Sequence, residues 1–181
     1  MAFLAVSADT LAARARWRYR GEHRPSFAEF PDDGQRSVWD FPRPPRIEPV
    51  ARHVRVEADG IMFASSRRAV RVCETAGAPT YYVPPQDLCV PLASSGQTSI
   101  CEWKGLAETL DHGDLTAVGW RYVQCFEEYA ALHGWVSFYP AVVCCFLSDE
   151  RARAQGGGYY GGWVTDDLSG PIKGAPGTED W

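Results

Sequence analysis

The sequence predicts a mainly β (α+β) protein: a small antiparallel sheet domain with one or two short helices and long extended termini. Three observations predict it. Short runs of alternating apolar and polar residues recur through the middle of the chain, each bounded by Gly or Pro turns. Asp59-Gly60 stands between two such runs, a strong short-range hairpin signal. Helical periodicity is confined to a few brief stretches. A chain of 181 residues suffices for one domain with a sizeable core and is too short for two full ones.

Residues 1–35 read as an appended arm, with a short helix from Asp9 to about Arg20 capped by Ser7 or Asp9. Arg14, Arg16, Arg18 and Arg20 alternate there with Ala, Trp and Tyr, as in a solvated, partly frayed segment. A single β-rich domain follows over 36–181. Its entry, 36–51, combines Trp39 and Phe41 with prolines and reads as an extended strap that donates its aromatics to the domain. The sheet proper begins near Arg52: Val54 and Val56 alternate with charged residues, and Met62-Phe63-Ala64 returns beyond the hairpin turn. Residues 65–75 read as a short helix, capped by Ser65 or Ser66 and closed by Gly77. Thr80 to Val83 is a strand ended by Pro84-Pro85, and further strands are expected near 97–103, 105–111, 115–123, 134–139 and 142–147, with a helical turn or two at 127–133. The tail, 156–181, is rich in Gly with Tyr159, Tyr160 and Trp163 between. Chain of such low propensity should lie over the domain surface, anchored by its rings.

Composition excludes several functions. A net charge of -5 argues against a nucleic-acid partner, which needs clustered Lys and Arg. No apolar run approaches the ~20 residues that cross a bilayer, and Met1 to Val6 is too short for a signal-peptide core. The six cysteines show no C-x-x-C pair, and adjacent Cys144 and Cys145 point to opposite faces of a strand. Reduced thiols in a cytoplasmic protein are expected. The histidines are scattered, and no phosphate-binding loop, nucleophile elbow or H-E-x-x-H run occurs, so neither metal nor cofactor is expected.

A few residues carry chemistry. On the expected helix, Glu74 lies next to Val70 and Cys73 with Arg67 and Arg71 on its flank. The helix dipole and partial burial would raise its pKa, as suits a general acid or base, whereas an ion pair with Arg71 would lower it. Tyr81 and Tyr82 face opposite sides of their strand, so only one can line a given pocket. Gln86 and Asp87 present polar groups at the following bend, as ligand contacts or turn stabilisers. Trp120 and Tyr122 share a face with Val118, and Trp135, Ser137 and Tyr139 share another. These rings are core packing or the walls of a pocket. Lys104, between Trp103 and Gly105, reads as a clamp for an anion or carbonyl, as a base of depressed pKa, or as a solvent-facing turn residue. Cys101 lies on the face of Trp103, where strict alternation points Lys104 away from it, so it reads as a packed thiol.

Three runs together resemble a known family: Ser65 to Glu74 (S-S-R-R-A-V-R-V-C-E), Pro79 to Asp87 (P-T-Y-Y-V-P-P-Q-D) and Cys101-Glu102-Trp103-Lys104-Gly105. With Trp120-Arg121-Tyr122 and Phe138-Tyr139-Pro140, they are similar to the family catalogued as domain of unknown function 427, over about residues 36–181. The resemblance implies a β-rich fold of the Mss4-like or β-tent type. Relatives of that architecture often hold zinc through paired C-x-x-C knuckles, which this chain lacks. The family sometimes carries a nucleotidyltransferase label, but no G-S…D-x-D signature is present. The flanks Ser37 to Pro45 and Gly157 to Trp181 resemble a single-domain subgroup with a glycine-rich tail, from which the chain departs at Val123-Gln124-Cys125, where proline is common, and in its acidic C-terminus.

The resulting expectation is a metal-independent enzyme acting on a small cyclic or carbonyl-bearing molecule. Glu74 would move a proton while Lys104 and Tyr82 stabilise developing negative charge. Arg71, Asp87, Trp103, Trp120, Tyr122 and Tyr139 would bind the substrate. The alternatives are a non-catalytic binding module with an aromatic cage, and an interaction protein whose tail docks a second copy as a homodimer. No nucleic-acid or membrane partner is expected.

Overall fold

Alternating side chains generate the strands, and the strands define two opposed sheet faces with different fates. The structure, a computed structural model, describes residues 3–181. Met1 and Ala2, which open the run read as too short for a signal peptide, lie outside the described residues. In chain order the elements are α1 (Ala8–Ala15), β1 (Arg36–Ser37), β2 (Arg46–Pro49), β3 (Val54–Ala58), β4 (Ile61–Ser66), β5 (Val70–Cys73), β6 (Thr80–Val83), β7 (Ala93–Cys101) and β8 (Gly105–His112). There follow β9 (Leu115–Cys125), β10 (Val136–Phe138), β11 (Cys144–Leu147), β12 (Glu150–Arg151), β13 (Arg153–Ala154), β14 (Trp163–Val164) and β15 (Leu168–Ser169). The mainly β class and antiparallel sheet are as the sequence predicts.

Seven strands form one antiparallel sheet in the order β2-β5-β6-β10-β9-β8-β7, and four form a second in the order β12-β11-β3-β4. Asp59 (φ 51°) and Gly60 (φ 76°) supply the positive φ angles that the tight turn between β3 and β4 requires. Val54, Val56 and Phe63 of the small sheet pack against Tyr81, Val83 and Phe138 of the large one, all essentially without solvent contact. On the other face of the large sheet, Val72, Tyr82, Ala107, Trp120 and Tyr122 are covered by Trp17, Trp103 and the 3₁₀ segment Glu127–Leu132.

Four expectations need correction. Residues 65–75 are not a helix: Ser66 Oγ accepts from the Arg68 amide at 3.1 Å, but the chain it supports is a tight turn leading into β5. Val70 and Val72, both β-branched, favour the extended chain that pairs with β2 and β6. The sheet begins at Arg46 rather than Arg52, because the strap itself pairs as β2. The arm is not a solvated appendage. Its helix starts with Ser7 as cap but ends at Ala15, which lets Trp17 turn in to 8% exposure. Arg14 Nε donates to the Glu102 carbonyl at 2.7 Å, and the Leu4 amide donates to the Cys125 carbonyl at 2.9 Å. Nor does the whole tail lie on the surface. Trp163 is fully buried between the sheets, its Nε1 donating to the Phe138 carbonyl at 2.9 Å, and β15 pairs in parallel with β1.

The strap donates Trp39 and Phe41 to a third cluster, as expected. The C-terminal Trp181 packs there, 5.1 Å from the Trp39 ring and 5.0 Å from Phe27. No helix of the described residues is long and apolar enough to cross a membrane. All six cysteines are free thiols, three of them buried (Cys73, Cys125 and Cys145).

Candidate functional site

The second face of the large sheet is only partly covered, and the opening is a cleft of about 590 Å³. Strand parity chooses its floor. Thr80 and Tyr82 of β6, Ala107 and Thr109 of β8, and Trp120 and Tyr122 of β9 all line it, while their odd-and-even neighbours Tyr81 and Leu110 enter the core behind. Val118 departs from the expected shared face and joins the core with Leu110. Trp120 and Tyr139 form an aromatic wall, their ring centroids 4.5 Å apart. Gly161 of the tail runs directly across the Trp120 indole, where a Cβ would meet the ring at 2.1 Å, so only glycine allows this approach. Tyr159 and Tyr160, just before it in the chain, also line the cleft.

At one end of the cleft lies a charged cluster. Glu74 is carried on the face of Val72 by the parity of β5, which continues past its last residue. Its carboxylate accepts from Arg43 Nε at 3.0 Å and lies 3.6 Å from Lys104 Nζ. The Arg43 side chain is fully enclosed and also donates to the carbonyls of Tyr19 at 2.8 Å and Thr75 at 2.9 Å. Lys104 sits in the three-residue turn after β7, which breaks the alternation and brings its amine into the same cleft as Cys101. Glu102, in the same turn, accepts at 2.6 Å from Trp17 Nε1.

The electrostatics follow from these contacts. Burial pushes the Glu74 carboxyl up, but Lys104, Lys173 and Arg43 together outweigh it, and its pKa is lowered. The raised value expected from a helix end is therefore corrected: there is no helix end, and the ion-pair partners are Arg43 and Lys104 rather than Arg71. Burial disfavours the Lys104 ammonium, yet the facing side chains of Cys101, Glu74 and Tyr82 outweigh it and its pKa is raised. Lys104 is a retained cation and not a base of depressed pKa. Burial raises the phenols of Tyr82 and Tyr122, so both are neutral donors at physiological pH. Tyr82 Oη is fully buried with no hydrogen-bond partner, and so is Oγ of Ser137, which pairs with Tyr82 across β6 and β10. A hydroxyl enclosed this way carries a penalty of about 1–3 kcal/mol until something accepts from it.

The structure therefore brings Glu74, Lys104, Tyr82, Trp120, Tyr122 and Tyr139 into one cleft. Three other expected ligand contacts lie outside it. Arg71 alternates away from Val72 and pairs with Glu48 at 3.0 Å. Asp87 accepts from the Ser66 hydroxyl at 2.6 Å and pairs with Arg68, fastening the bend after β6 to the turn before β5. Trp103 is core: it is 3% exposed, with the Arg14 guanidinium 5.2 Å above its ring. The alternation that separated Cys101 from Lys104 is overruled by the turn between them. Among the described residues, no group of three or more His, Cys, Asp or Glu side chains is placed to hold a metal ion.

Trp17, Tyr160 and Lys173 line the cleft and were missed. For Lys173 a signal existed in composition. The chain has sixteen arginines and only two lysines, Lys104 and Lys173, and both lie in this cleft at 8% and 5% exposure. For Trp17 no local pattern distinguishes a docked ring from a frayed one.

The family described as Domain of unknown function (DUF427) matches residues 46–149. Glu74, Lys104 and Tyr82 fall inside that range, whereas Trp17, Tyr160 and Lys173 fall in the flanks. No curated protein matches the chain.

Proposed function

We propose that this chain, which belongs to the DUF427 family, is an enzyme for a small carbonyl-bearing molecule with a flat or cyclic body. The molecule lies against Trp120 and Tyr139 and reacts by proton transfer without a metal. The observation that carries this reading is the convergence of a lone buried donor, Tyr82 Oη, with the Lys104 ammonium and the Glu74 carboxylate in one cleft. Tyr82 and Lys104 supply a neutral donor and a fixed cation for an oxygen that gains negative charge in the transition state. Glu74, ionised at neutral pH, can accept a proton and does not begin as a general acid. Cyclisation, isomerisation, elimination and hydrolysis all use such a set. The free thiols suit a cytoplasmic setting.

A second reading is a binding module without turnover. It is favoured by the clamping of Glu74 between Arg43 and Lys104, which lowers its basicity. A panel of small cyclic ketones and keto acids, followed by ligand-observed NMR for binding and mass spectrometry for products, separates the two. The enzyme reading expects Glu74→Gln to bind a converted panel member without converting it. Binding with no product at any protein concentration sinks that reading and leaves the module. Binding that survives Trp120→Ala sinks both.

A further inference from the structure

Lys173 is the buried cation of the cleft that no carboxylate holds. Lys104 has Glu74 at 3.6 Å and Arg43 has Glu74 at 3.0 Å, while among the described residues no acidic oxygen lies within 4 Å of Lys173 Nζ. Its amine is seated on aromatic faces, 4.6 Å from the Trp17 ring centroid and 4.9 Å from that of Tyr160. The backbone of the residue is pinned: its amide donates to the Ala76 carbonyl at 2.8 Å, and its carbonyl accepts from Gln155 Nε2 at 3.0 Å. The residue is 5% exposed and lines the cleft. The groups facing it are Glu74, Arg43, Lys104 and Glu102, so the charge around the amine is balanced rather than acidic. Burial, with Arg43 and Lys104 adding to it against Glu74 and Glu102, lowers its pKa.

The amino-acid choice points the same way. Elsewhere the chain meets every need for positive charge with arginine, which stays protonated and is a poor nucleophile. Lysine alone can lose its proton and attack, and a desolvated lysine beside a second cation is primed to do so. Lys104 and Lys173 divide these roles, one held charged by Glu74 and the other left on aromatic rings.

We propose that Lys173 is the nucleophile of this cleft and takes the carbonyl carbon of the substrate as an imine. The inference rests on the carbonyl-substrate reading above and names its covalent step. The neutral amine adds to the carbonyl carbon to give a carbinolamine. The carbonyl oxygen gains protons and departs as water, and the nitrogen loses its extra protons as the C=N bond forms. No oxidant or other co-reactant is required. The ligand class narrows to aldehydes and ketones, excluding esters and amides as imine formers.

Benzaldehyde and cyclohexanone, each with sodium cyanoborohydride, test it on the full chain at pH 7. Binding is read in parallel by tryptophan fluorescence, and the site of any reduced adduct by peptide mapping. With only two lysines and the α-amine available, the assignment is unambiguous. The expected result is an adduct on Lys173 formed faster than on Lys104, whose amine Glu74 holds protonated, and lost in Lys173→Arg. That variant keeps a cation over Trp17, and an unchanged melting temperature shows that the loss is chemical. Probe binding with no adduct on Lys173, or an adduct confined to Lys104 or the α-amine, overturns the imine and leaves the carbonyl-binding cleft standing. Absence of binding by either probe overturns both.

Discussion

Tyr82 is where the chemistry of a single side chain is most exposed to test. Its hydroxyl is enclosed without a partner, so removing it relieves a penalty in the unliganded protein and removes a donor from the liganded one. Tyr82→Phe should leave the melting temperature unchanged or raise it, while weakening binding of a carbonyl ligand by about 1–2 kcal/mol. Calorimetry and titration of the same preparation check both halves, and a destabilised variant with intact binding would contradict the role. Glu74 behaves differently because it is tied to its neighbours. Its lowered pKa means that the carboxylate stays charged as pH falls through the usual carboxylate range. The Glu74 carboxyl should therefore titrate below the ordinary glutamate value of 4.5 when followed by carboxyl NMR shifts, and add no acid limb of its own to the pH–rate profile near neutrality. An acid limb near pH 6 or above reports the Lys173 amine, which must lose its proton to attack, whereas a Glu74 carboxyl that titrates at or above 4.5 would contradict its pairing with Arg43 and Lys104.

At the scale of elements, Arg43 and Gly105 hold segments together that are far apart in sequence. Arg43 joins the arm at Tyr19, the chain after β5 at Thr75 and Glu74, and the C-terminus at Trp181. Arg43→Met leaves the Glu74 carboxylate partly buried with fewer partners and should cost about 3 kcal/mol. Faster hydrogen exchange confined to the arm and the C-terminal residues is the expected signature. Gly105 opens β8 at φ 130°, and a Cβ there would fall 2.1 Å from the Gln124 carbonyl oxygen of β9. Gly105→Ala should force β8 away from β9, lower stability by about 2 kcal/mol or more, and displace Lys104 from the cleft. Denaturant unfolding together with an altered Lys104 labelling rate reads both effects.

For the molecule as a whole, pH response follows from groups that share one face of the large sheet. Glu48 accepts from Arg36 at 2.7 Å, Arg46 at 2.7 Å and Arg71 at 3.0 Å, which holds its carboxyl well below the usual range. The unfolded chain binds a proton near pH 4.5 and the folded chain resists it, so stability falls as pH drops below that value. At the alkaline end, burial pushes the Cys73 thiol up from 9.0 to about 12 and the Tyr81 phenol up from 10.0 to about 12. The unfolded chain then loses protons first, and stability should decline between about pH 9 and 12. Thermal melts should show a plateau between these limits, and a maximum at acidic pH would refute the assignment of Glu48. The folded whole also has an order of dependence. The cleft borrows Trp17 from the arm and Tyr160 and Lys173 from the tail, so deletion of 156–181 should unfold the sheets around the missing Trp163 as well as remove the proposed nucleophile.

Local features were legible in the sequence: the strands between Val54 and Leu147 other than β5, with their period of two, the Asp59-Gly60 turn, the strap aromatics, and the presence of Glu74, Tyr82 and Lys104 among the reactive residues. Those follow from neighbouring side chains and backbone sterics. The stretch 65–75 went wrong because a helical cap and a tight turn use the same serine–amide hydrogen bond. Only pairing with β2 and β6 decides between them. Tertiary structure alone decided that Arg71, Asp87 and Trp103 face elsewhere, that Trp17 is docked, and that the only two lysines meet in one cleft. Burial and charge pairing depend on segments a hundred residues apart, and no local pattern records which of them will enclose a side chain.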